Sequence, residues 1–256
     1  MSNLEVQTVA EPVPVVPGLS QWQRVTNTFA APSKTFEDIK RGNKSWWLPL
    51  LILAVVAYIL FAAITFKIGM QQVVDNQIRM DPKTEERMAQ ASPEARAMSE
   101  KISLYVTEGV FIASPLLVLA VAAMGSLGLW GTINFVFGGK SKYGSIFAVW
   151  MFASLPSIVK SLLGTIVIFA GMAPESFNVK NFAPTNVAAF LPVAETNKVV
   201  YALASSLDIV SIWTMVLLGM GVAIVAGVKR TSGYIAVFGW WALFVLIGVG
   251  VAAISS

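Results

Sequence analysis

Lys160 is the residue whose position most constrains what this chain can do. It stands in the middle of an apolar run, in the stretch LPSIVKSLLG, where an ammonium is costly unless it finds an anion, a carbonyl or water. Two carboxylates, Glu108 and Asp208, fall at the starts of neighbouring apolar runs. The Lys160 stem is long enough to reach toward either of them, and a Lys–Glu or Lys–Asp pair would lower the cost of burying its members. Glu108, Lys160 and Asp208 are therefore the candidate intramembrane polar cluster. Its readings are a structural pair, a lysine facing a wet crevice, a substrate or proton pathway, or a span boundary that lies elsewhere. Ser157 and Ser161 flank Lys160, but serine–lysine catalysis lacks an oxyanion-site signature in this sequence.

The remaining chemistry is narrowed by what is missing. The 256 residues include no histidine and no cysteine, which removes zinc hydrolases, histidine triads, thiolate nucleophiles and disulfides. Gly138-Gly139-Lys140-Ser141 resembles a phosphate loop but lacks the full spacing and the strand-to-helix context, so it reads as a tight turn. No catalytic residue, metal site or cofactor is expected, and the chain is read as non-enzymatic.

Five long apolar runs must position these residues, at about 46–66, 110–137, 146–172, 209–228 and 234–254. Each is long enough to cross a hydrocarbon core of about 30 Å at 1.5 Å per residue. Hydrophobic residues make up 56% of the chain and charged residues 12%, roughly half the charged share of a soluble domain. The fold class is an all-α, polytopic membrane protein with five transmembrane helices, residues 46–254 forming the membrane domain. The net charge of +4 does not point to nucleic acid, because the cations sit in short segments beside spans. The bilayer is the first partner.

Those cations set the orientation. Lys34, Lys40, Arg41 and Lys44 precede the first run, Lys140 and Lys142 follow the second, and Lys229 and Arg230 follow the fourth. The basic segments share one side if all five runs span, and that side is expected to be cytoplasmic. The N-terminus is then inside and Ser255-Ser256 outside.

Outside the runs, residues 1–19 are rich in Pro and Val and lack a basic stretch, so a flexible tail is expected rather than a cleaved signal. The first run then acts as an uncleaved anchor. Within residues 20–45, Ser20 is a candidate N-cap, and Trp22, Val25 and Phe29 follow on one helical face. Pro32 interrupts, and Ser33 or Thr35 can cap a second short helix carrying Phe36 and Ile39. Aromatic residues beside cations suit a cytoplasmic interfacial segment whose Trp22, Phe29 and Phe36 contact partners; the plainer alternative is a helix packed on the spans. The polar loop at 67–107 offers helix starts at Pro82 and Pro93, the second running on into the second span. A further polar loop covers 173–208. Pro156 should kink the third span.

Several separated motifs resemble the Yip domain family. They are Phe29-x-x-Pro32-x-x-x-Phe36-x-x-Ile39 before the first span; Asn134 with Phe137-Gly138-Gly139-Lys140, then Phe147, Ala153 and Leu155-Pro156; and Leu207-Asp208 followed by Ile212-Trp213 and Gly219. Pro32, Asn134, Pro156, Asp208 and Trp213 are the family-motif positions. Lys160 is not part of the pattern. The resemblance covers about 25–250 and implies five spans with a cytoplasmic N-terminus. It also implies a role in organising membrane proteins, membrane shape or trafficking. Small GTPases are partners of eukaryotic members, but no GTPase-binding motif carries over. The compact format is similar to bacterial members, which implies an inner membrane. The reading that results is a membrane scaffold or adaptor with membrane-protein partners or self-association; the competing class is a small-solute or ion transporter with a polar site around Lys160.

Overall fold

The computed structural model describes residues 17–193 and 195–254. The expected tail over 1–19 lies outside the described residues up to position 16, as do Ser255 and Ser256. Among the described residues the secondary structure is helical, with one isolated bridge between Asn186 and Asp208 and no strand.

A hairpin of α1 (Gln21–Ala30) and α2 (Pro32–Lys40) precedes the first span, α3 (Trp47–Lys67). Three loop helices follow, α4 (Met70–Arg79), α5 (Pro82–Gln90) and α6 (Pro93–Ile112), before α7 (Ser114–Gly131). The third span is split into α8 (Tyr143–Ala153) and α9 (Ser157–Phe169); α10 (Lys198–Ser206), α11 (Ile209–Ala226) and α12 (Arg230–Ile254) complete the chain. Five helical segments are long and apolar enough to cross a bilayer. The cations Lys44, Lys140, Lys142, Lys229 and Arg230 mark one end of the bundle, the basic face; the segments 68–113 and 170–208 make the opposite loop face.

α11 is the axle. Just over half (56%) of its spanning window is buried against only 11% for α12, so α11 is packed by protein and α12 mainly meets lipid. Glycines permit the close contacts: a Cβ at Gly221 would meet Val149 and Phe36, and one at Gly219 would meet Tyr234. α8 is buried along nearly its whole length, from Ser145 to Ala153. The larger apolar core therefore sits toward the basic face, around Phe36, Ile146, Val149, Phe152 and Val222. A smaller one lies under the loop face, around Leu60, Ile64, Val73, Ile168 and Phe177.

Two spans depart from the uninterrupted runs expected of them. The helix from Pro93 ends at Ile112, and α7 starts afresh at Ser114 with Pro115 in its first turn, because proline cannot donate to the preceding turn. Pro156 produces a full interruption rather than a kink. The amides of Leu155, Ser157, Ile158 and Val159 bond three residues back at 2.9–3.1 Å, and the hydroxyls of Ser154 and Ser157 take up Trp150 and Ser154 carbonyls. This satisfies the backbone inside the apolar layer and starts α9 just before Lys160.

Candidate functional site

At the loop face, Lys160 and Asp208 meet. Lys160 sits in the first turn of α9, and Asp208 is the N-cap of α11, where its Oδ1 accepts from the Ser211 amide at 2.8 Å. Its Oδ2 accepts from Lys160 Nζ at 3.0 Å and from Thr185 Oγ1 at 2.6 Å. The Thr185 carbonyl in turn accepts from the Ile209 amide at 2.9 Å. The Asp208 side chain is 3% exposed and that of Lys160 25%. Burial alone would raise the Asp208 carboxyl; the hydrogen bonds from Thr185, Ser211 and Lys160, with the lysine charge, outweigh it and hold it below its ordinary range. Lys160 also lies 5.7 Å from the ring of Phe182, and Phe182 packs where a Cβ at Gly164 would stand.

The segments of the loop face are also tied to one another. Asn76 of α4 donates to the carbonyls of Pro174 and Phe177 at 2.8 and 2.9 Å, and Arg79 donates to the Glu175 carbonyl. Asn178 and Asn181 both donate to the Tyr201 hydroxyl. A cavity of about 320 Å³ lies in the first loop among Asp75, Arg79, Glu85, Met88, Arg96 and Glu100; Lys160 is not in its wall.

The hairpin builds a second ionic node, near the basic face. Ser20 caps α1 in a capping box with Gln23. α2 starts at Pro32 with Ala31 as its cap residue and no side-chain cap bond; Thr35 instead donates to the Arg24 carbonyl at 2.8 Å, as does Thr28. The Thr35 bond ties α2 to α1, the Thr28 bond being internal to α1, and Arg24, Val25 and Thr28 are turned inward. Arg24 is fully buried, its guanidinium 4.3 Å from the centre of the Phe152 ring, 3.6 Å from Asp38 and 2.9 Å from Asn43. Asp38, 1% exposed, also binds Arg41 at 3.1 Å and accepts from the Leu19 amide at 3.1 Å and from Asn43 at 2.9 Å.

The hairpin rises along α11 from there. Phe36 meets Gly221, Ser33 Oγ lies 3.6 Å from Met220 Sδ, and Phe29 packs edge-on to Trp213 with ring centres 5.7 Å apart. Trp213 is the fifth and Met220 the twelfth of the 18 residues of α11 counted from the loop face, so residues on either side of the hairpin tip touch both halves of that helix.

The expected site residues thus separate. Lys160 and Asp208 come together, while Glu108 stays outside the pair, half-buried on α6. Trp22 and Phe29 are exposed, but Phe36 is fully buried in the core and offers no free surface. Val25, expected on the same face as Trp22 and Phe29, is buried with Arg24 and Thr28 on the side of α1 to which Thr35 of α2 binds. Pro32 opens α2, Pro156 caps α9 and Trp213 receives Phe29. Asn134 lies in a π-helical turn (Thr132–Val136) and bonds Ser141 at 2.9 Å (amide) and 3.1 Å (carbonyl). That turn lets the Lys140 amide cap the Ala226 carbonyl of α11 at 3.1 Å, so Gly138-Gly139-Lys140 is a helix stop. Sequence reasoning missed Arg24, Asp38, Asn43 and Thr185. The available signal was Arg24 and Thr28 at i and i+4 beside Val25.

A family model described as the Yip1 domain matches residues 26–252, which takes in nearly all of this architecture. No curated protein and no solved structure matches the chain.

Proposed function

The chain belongs to the Yip1 domain family, and on that premise we propose that it is a non-enzymatic membrane scaffold or adaptor, organising partner proteins or the shape of the bilayer. The observation that carries this reading is the fate of the intramembrane lysine. Lys160 is held by Asp208 at 3.0 Å at the loop face, and a cation tied to the N-cap of a helix supports a structural role for that charge. The basic face is assigned to the cytoplasm by its lysines and arginines.

Partner contact falls to the exposed side of α1, through Trp22 and Phe29, and to the loop helices α4–α6. Self-association is the alternative use of the same surfaces. A small GTPase is a partner class by family analogy alone.

The test is photo-crosslinking in membranes from positions 22 and 29 of α1 and from Met98, exposed on α6, with partners identified by mass spectrometry. One reproducible heterologous partner, lost in Trp22→Ala/Phe29→Ala, is the expected result; self-crosslinks as the sole product would move the reading to self-assembly. A solute flux in reconstituted vesicles that vanishes in Lys160→Met would overturn the scaffold reading.

A further inference from the structure

A second feature of the basic face is independent of the scaffold reading. An apolar groove of about 280 Å³ runs on the outside of the bundle, lined by Ala123, Met124 and Leu127 of α7 and by Tyr143 at the start of α8. Met124 is 75% exposed, so the groove opens toward lipid. Its lower edge is closed by Tyr143, whose hydroxyl donates to the Ala123 carbonyl at 3.1 Å. At the level of the groove α7 and α8 are held together where Trp150 fills the space left by Gly125.

Cations stand at the headgroup end of this groove. Lys142 immediately precedes Tyr143 and is exposed. The Lys44 stem packs on Gly144, 3.7 Å from where a Cβ would stand. Trp46 stacks edge-on to Phe147, which also meets Tyr143, so the starts of α3 and α8 are locked side by side with Lys44 and Lys142 at their ends. Among the described residues neither lysine forms an ion pair. The sequence places no carboxylate between Asp38 and Asp75 or between Glu108 and Glu175. The local charge is therefore positive and unneutralised.

We propose that this groove binds one anionic phospholipid of the basic-face leaflet, its acyl chain along Ala123, Met124 and Leu127 and its phosphate between Lys44 and Lys142. The occupant is a lipid because the groove lies on the hydrocarbon side of a span, while its end lies at the headgroup level. Only a molecule with an apolar tail and an anionic head matches both halves. A lysine near an anionic headgroup changes affinity by about fivefold, and the fit of a chain to the groove adds selectivity that loose surface attraction does not.

Native mass spectrometry of the full chain, released from detergent with equal phosphatidylglycerol and phosphatidylcholine, reads this directly. One phosphatidylglycerol should survive activation that strips phosphatidylcholine. In Lys44→Gln/Lys142→Gln its retention should fall by more than about tenfold, as expected for two such lysines. Leu127→Trp, which fills the groove and leaves every charge in place, should lose it too, and keeps the test open if the lysine variant fails to fold. Lys229→Gln/Arg230→Gln removes equal charge from a different connection and should retain the lipid. Equal retention of both lipids would overturn the site. So would equal loss in the 229/230 variant, or phosphatidylglycerol unaffected by Leu127→Trp.

Discussion

At the loop face Asp208 meets Lys160 with a quarter of the lysine side chain still exposed; near the basic face Asp38 meets Arg24 with neither side chain accessible. Both pairs are anchored on packed helices, yet they handle charge in different ways. Lys160 has one carboxylate, close contact at 3.0 Å and a route to the surface. Arg24 has a looser carboxylate at 3.6 Å, an amide oxygen and an aromatic face, and its Nε and Nη2 find no hydrogen-bond acceptor. A lysine with part of its side chain open can re-aim when its partner goes; a fully enclosed guanidinium has no second solution. The comparison marks the Arg24 node as the point where the hairpin is committed to the bundle, and the Lys160 pair as a trim on the cap of α11.

Breaking the enclosed pair is expected to cost most. Asp38→Asn leaves the enclosed Arg24 guanidinium without its carboxylate, and losing one member of a buried pair costs about 3–5 kcal/mol. The thermal midpoint in detergent should fall further than for any variant below, and a fall no larger than that of Lys160→Met would erase the distinction. Gly221→Leu comes next, because the new side chain must displace Val149 or Phe36, an overpacking cost of about 1–3 kcal/mol. Gly221→Leu should cost less in a Phe36→Ala background, because the Phe36 ring is one of the two groups that the new side chain would displace. Fully additive losses in thermal midpoint would mean that the hairpin does not depend on this seam.

Lys160→Met should cost less than either Asp38→Asn or Gly221→Leu, since Thr185 and the Ser211 amide still hold Asp208. Acid gives the smallest and most local effect. The Asp208 carboxyl titrates below its unfolded value of about 3.9. Its stabilisation is therefore fully present above that pH and is lost as pH falls through the lower folded value. The difference in thermal midpoint between the wild type and Asp208→Asn should persist at neutral pH and shrink below about pH 4. A difference that stays constant into acid would remove ionised Asp208 from the stability of the cap.

Much of this was open to reading along the chain. The third apolar run, the odd lysine within it and a carboxylate able to meet it are local features, and so are the Ser20 capping box and the proline starts of α5 and α6. The choice of Asp208 over Glu108 was not. Both flank apolar runs, and Thr185, which helps to fix Asp208, lies in a loop without periodic pattern. Arg24 escaped for a related reason. Cations before a first span read as surface charge, and only the approach of α2, α8 and Phe152 encloses this one. The same approach took Phe36 from an exposed aromatic stripe into the core.

What the sequence determined by itself is the set of five spans and the segregation of cations to alternate connections. Transfer into hydrocarbon acts on each segment through its own composition and length, with no need of neighbours. The tertiary structure decided which charges are paired, which aromatics are covered and how far the hairpin climbs α11. Burial belongs to two surfaces at once, and a close approach such as that at Gly221 exists only when both helices are in place.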